Sequence, residues 1–106
     1  MQISFFEESG GTQVRRALSG RAPPPAALTG LGMVLYRQGL LAEAADCLRR
    51  AAALRPDHAP THDELGVVLH ARGDTADALQ HLCTAVALQP TLASAHFHLG
   101  NVLAEQ

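Results

Sequence analysis

Long apolar runs, an excess of basic charge and a cysteine framework are all missing from this chain of 106 residues. No stretch approaches the ~20 apolar residues that a membrane-spanning helix needs. Eight basic residues, every one an arginine, face ten acidic ones for a net charge of −2. The broad positive field that holds nucleic acid is therefore absent, and Arg49, Arg50 and Arg55 read as one solvated helix face. Two cysteines, Cys47 and Cys83, are too few for a disulfide framework. Residues 1–8 show neither the positive start nor the apolar run of a secretory leader. The expected setting is reducing and cytoplasmic, with neither membrane nor nucleic acid as a partner. Aromatics make up only 4% of the chain. Abundant alanine and leucine favour closely packed helices over strands.

Catalytic signatures are missing as well. There is no Gly-x-Ser-x-Gly elbow. Gly10-Gly11-Thr12 has neither the lysine nor the spacing of a phosphate loop. Neither cysteine has an evident base and orienting partner, so both read as small packing residues. Among the histidines, His58 and His62 have helical ligand spacing, but Pro60 between them places His58 ahead of regular helix. His96 and His98, two apart, diverge on a helix. Adjacent Asp63 and Glu64 diverge too and read as surface charge. The expectation is no catalytic residue, no metal and no cofactor.

What the chain does have is a repeat. Leu28-x2-Leu31-Gly32-x2-Leu35, Ala44-x3-Leu48 and Pro56 return 34 residues later as His62-x2-Leu65-Gly66-x2-Leu69, Ala78-x3-Leu82 and Pro90. A third copy opens with His96-x2-Leu99-Gly100-x2-Leu103. Aligned without a gap, 25–58 and 59–92 share twelve identities. A period of this length denotes stacked copies of one supersecondary unit. Leu28, Leu31 and Leu35 form an apolar stripe on one helix, and Ala44, Leu48, Ala51 and Ala52 form another on the next. Gly39 and Gly73 lie where a first helix must end and turn. Pro56 and Pro90 stop the second helices. Helices are predicted over 26–38, 42–54, 60–72, 76–88 and 93–105, paired antiparallel by short loops. Gly32 and Gly66 lie inside predicted helices, where glycine costs about 1 kcal/mol relative to alanine. Their recurrence in phase predicts a close approach of two helix backbones, with Ala44, Ala78, Ala51 and Ala85 on the opposing side.

These residues resemble the tetratricopeptide repeat family over 25–92, with 93–106 as a lone first helix. The fold expected is all-α: an α-solenoid of two full helix pairs and the first helix of a third. The chain departs from the family's usual tryptophan at Leu28, His62 and His96, and from its usual tyrosine at Leu35, Leu69 and Leu103. His62 and His96 are then expected to be packing residues facing the core. Residues 1–24 are either a decayed upstream half-repeat or a tail. Val14-Arg15-Arg16-Ala17-Leu18 lies 34 residues before Leu48-Arg49-Arg50-Ala51-Ala52, and Ile3, Phe5 and Phe6 are candidates to fold back over the first repeat.

Solenoids of this kind bind along a concave face lined by their first helices. By that resemblance the partner-facing residues are Thr29, Met33, Tyr36 and Arg37, then Asp63, Val67 and His70, then Phe97 and Asn101. The residues with which some members clamp acidic chaperone tails would fall at Thr29, Met33, Glu64, Ser94 and His98, and none matches. The asparagine ladder of the O-linked N-acetylglucosamine transferases would fall at Gly30, Glu64 and His98 and is absent too. The expected function is a non-enzymatic module that binds a protein partner through a peptide or helix in the groove. One alternative is an N-terminal appendage of a larger enzyme of glycosyltransferase or sulfotransferase type, as in repeat-bearing bacterial enzymes. Another is self-association through the open helix at 93–105.

Overall fold

The computed structural model describes residues 23–106, and among them are five α-helices and no strand. They are α1 (Pro25–Arg37), α2 (Leu41–Leu54), α3 (Ala59–Arg72), α4 (Thr75–Leu88) and α5 (Ala93–Ala104). Each end lies within about one residue of the periodicity-based expectation. The N-terminal half-repeat or tail falls almost entirely outside the described residues.

Local chemistry sets the helix ends. Proline occupies the first turn of α1 and of α3, where its missing N–H costs nothing and its φ is already helical. The turns after α1 and α3 are alike. Gly39 (φ +82°) and Gly73 (φ +91°) adopt the left-handed conformation that side chains disfavour. Their N–H groups donate to the carbonyls of Tyr36 and His70, each at 3.0 Å. The next residues, Leu40 and Asp74, donate back to Leu35 at 2.9 Å and Leu69 at 2.8 Å, so four helix-end carbonyls find donors. The second helices end differently. Arg55 (φ −135°, ψ 72°) and Gln89 (φ −141°, ψ 86°) leave the helical region because the ring of the following proline clashes with a helical predecessor.

Pairs α1/α2 and α3/α4 form hairpins; α2 packs on α3, and α4 packs on α5. Helix α3 also touches α1 and α5, so the three first helices form one layer and α2 and α4 the other. Leu35, Leu48, Leu65, Val68, Leu69 and Ala78 are fully buried, with Cys47, in the core of the first two hairpins. A smaller cluster of Ala59, Ala85 and Ala95 ties α3 and α4 to α5. Burying each leucine contributes roughly 1.5–3 kcal/mol, so this sparse core depends on close contacts.

The tightest contacts are the in-phase glycines. A Cβ on Gly32 would lie 2.8 Å from Leu48 Cγ and 3.3 Å from the Ala44 carbonyl oxygen. On Gly66 it would lie 2.6 Å from Leu82 Cγ and 3.3 Å from the Ala78 carbonyl oxygen. The leucine of each second helix thus fills the notch left by the glycine of the first, with alanine one turn earlier letting the backbones approach. Gly100 has the same phase, but nothing lies within 4 Å of its added Cβ.

Gly66→Ala should therefore lower stability by about 1–3 kcal/mol through overpacking. Gly100→Ala should raise it by up to about 1 kcal/mol through helix propensity alone. Thermal melts of the two variants check this contrast, and equal shifts would contradict it.

Candidate binding face

Residues at spacings of three and four share one side of each first helix. Thr29, Met33, Tyr36 and Arg37 come from α1, Val67 and His70 from α3, and Phe97 and Asn101 from α5. Met33 and Tyr36 are partly buried and rest on the core cluster, whereas Arg37 and Asn101 are exposed. Phe97 is 65% exposed, the most open large apolar side chain among the described residues, and lies edge-on to His98. The Nε2 of His70 lies 3.0 Å from Glu105 Oε1.

Asp63 departs from its expected partner-facing position. It is only 4% exposed, and both of its oxygens are occupied. Ser94 donates to Oδ2 at 2.6 Å and His98 Nδ1–H donates to Oδ1 at 2.8 Å. The carboxylate sits in the seam between α3 and α5 and holds the two repeats in register, so it is taken up inside the chain. Charge-assisted bonds of this kind are the stronger ones. Ser94 and His98 were not expected in this role. Their only sequence signal is that they lie 31 and 35 residues after Asp63, one repeat on and a half-turn to either side.

Glu64 is not simple surface charge either. It is half-buried, and its Oε1 is shut off from solvent with no hydrogen-bond partner. Burial pushes its pKa above the ordinary glutamate value, and neighbouring Asp63 pushes the same way. The other buried side-chain atom without a partner among the described residues is Nδ1 of His70, also on α3.

The histidines at the family's large first-helix position take different surroundings. His62 is buried as expected. Its Nε2–H donates to the Pro56 carbonyl at 2.7 Å, which leaves Nδ1 as an acceptor for His81 Nδ1–H at 3.1 Å. The two rings lie 5.3 Å apart at 19°. His96 repeats the bond, donating to the Pro90 carbonyl at 2.7 Å, but it is exposed rather than core-facing, because among the described residues no helix covers α5 there. In both repeats the imidazole satisfies a loop carbonyl that an indole at this position would serve with its own N–H. An open hollow beside the pair is lined by His62, Leu79, Gln80, His81, Cys83 and Thr84. Among the described residues no three His, Cys, Asp or Glu side chains converge as metal ligands. Cys47 is buried and Cys83 exposed, both as free thiols.

With the layered hairpins and this face described, the comparison with known families is decisive. The tetratricopeptide repeat model matches residues 25–91, more than half of the chain. This chain belongs to the tetratricopeptide repeat family. No curated protein matches it. Tetratricopeptide repeats are in general protein–protein interaction modules and are typically non-catalytic. Among the described residues no helix is long and apolar enough to cross a membrane.

Burial lowers the pKa of His81 below the ordinary 6.5, and the His62 ring and Arg49 add to the effect against a smaller pull from Asp77. A base whose pKa is depressed on folding binds protons more readily when unfolded. Stability from this site is therefore full above about pH 6.5 and is lost as the pH falls below it. The melting temperature should drop between pH 7 and pH 5. His81→Asn, which keeps a donor toward His62 but does not titrate, should lessen that drop; an unchanged pH profile would contradict the assignment.

Proposed function

We propose that this repeat array binds an extended peptide or a helix of another protein along the face of α1, α3 and α5. The observation that carries the reading is Phe97, a large aromatic left open to solvent beside Asn101 and in line with Val67, Met33 and Tyr36. Clustered apolar side chains on an otherwise polar surface mark interaction sites, and aromatics rank high among residues that dominate binding energy. Arg37 at the rim is suited to a carboxylate, with five fixed N–H donors. Asn101 both donates and accepts and is suited to a peptide backbone. Asp63 is withdrawn from the contact set for the reason given above. The free thiols of Cys47 and Cys83 support a cytoplasmic setting for the encounter.

Phe97 and Tyr36 make unequal probes of this face. Truncating Tyr36 also removes a side chain that rests on the core, so it mixes stability with binding. Truncating Phe97 removes a side chain that supports little else. Affinity capture with wild type and Phe97→Ala as baits, followed by mass spectrometry and titration of the shared partner, tests the reading. Phe97→Ala should weaken that partner about tenfold or more while leaving helicity and melting temperature unchanged. A partner bound equally by both baits would place the contact elsewhere.

A further inference from the structure

We infer that the groove selects a basic side chain, arginine or lysine, which it seats at Glu64 on the central helix. This rests on the peptide-groove reading and specifies its ligand.

Three observations converge. First, both orphaned polar atoms among the described residues, Glu64 Oε1 and His70 Nδ1, belong to α3. With Nε2–H directed at Glu105, a neutral His70 ring leaves Nδ1 as an acceptor. Both vacancies therefore call for hydrogen-bond donors. A buried acceptor left unpaired costs about 1–3 kcal/mol, so a bound donor recovers a real penalty.

Second, there is room. Glu64 holds the register shared with Gly30 on α1 and His98 on α5, one repeat away on either side. A Cβ on Gly30 would meet nothing within 4 Å, so the groove is open on that side. On the other side His98 is drawn toward Asp63.

Third, the charge is unbalanced. The Asp63 carboxylate is engaged by Ser94 and His98, but Glu64 makes no ion pair with any Lys, Arg or His among the described residues. A guanidinium offers a planar fork of donors that matches a carboxylate, and an ammonium offers three donors on a flexible stem. An acidic ligand would meet repulsion here. The raised pKa of Glu64 has the same origin, since its carboxylate lacks both water and a counter-charge; a bound cation would bring that pKa down.

The test uses the full chain and three pools of nine-residue peptides, amidated and acetylated, with uncharged randomised flanks. The central residue is arginine, its neutral isostere citrulline, or glutamate. Fluorescence anisotropy should show the arginine pool binding at least tenfold tighter than the citrulline pool, with the glutamate pool weakest. Glu64→Gln should abolish the arginine preference. The same variant should melt at a higher temperature, because an ionised group whose pKa is raised by folding weakens the fold above its unfolded pKa. Arginine and citrulline pools that bind equally, or a preference that survives Glu64→Gln, would overturn the inference. If in that case binding still depends on Phe97, the groove stands and only its selectivity is wrong. If no pool binds, both readings fail together.

Discussion

Everything in this molecule depends on how closely two helices of one hairpin approach each other. The distance is set where glycine on a first helix faces leucine on the second, at Gly32–Leu48 and Gly66–Leu82. A mid-helix glycine carries an intrinsic penalty, and each of these offsets it by admitting a leucine knob that would otherwise have no socket. With few aromatics to fill space, the core is made of alanine and leucine. Cores of small residues are stable only at short interhelical distance, since dispersion attraction falls steeply with separation. The same contact fixes the angle of each hairpin and so aligns α1, α3 and α5 as one layer. The candidate binding face is the free side of that layer.

Polar contacts act at a second level, between repeats. Asp63 links α3 to α5 through Ser94 and His98, and the imidazole of His62 closes a loop carbonyl while meeting His81 on the neighbouring helix. These bonds add direction to packing that would otherwise permit small slips between hairpins. They also explain why the α3 seam concentrates titratable groups. Polar side chains have replaced apolar ones at this seam. Some of their hydrogen-bonding capacity is met internally; at Glu64 and His70 part of it is left open.

The helices, their ends and the glycine notches were legible in the sequence because each follows from a local rule repeated in phase. Gly39 and Pro56 punctuate one hairpin, and their partners 34 residues on punctuate the next. The face of the first helices was legible as a spacing. Its individual occupants were less so. Asp63 looked available because sequence shows its helix face but not the α5 side chains that reach across to it. Glu64 looked solvated because its burial depends on how adjacent first helices pack. The pairing of His62 with His81, 19 residues apart, has no counterpart in the first repeat, where Leu28 and Cys47 take those positions, so the period itself gave no warning. Side-chain contacts between elements depend on rotamers and on angles that periodicity does not encode.

A double-mutant cycle at the second hairpin tests the central claim most directly. Equilibrium unfolding is measured for wild type, Gly66→Ala, Leu82→Ala and the double variant. If leucine in the glycine notch sets the helix approach, Gly66→Ala destabilises the wild-type background but becomes neutral or stabilising once Leu82 is alanine. The reversal follows because the added methyl then meets empty space and contributes only helix propensity. An equal cost in both backgrounds would mean that the notch does not govern the packing of these hairpins.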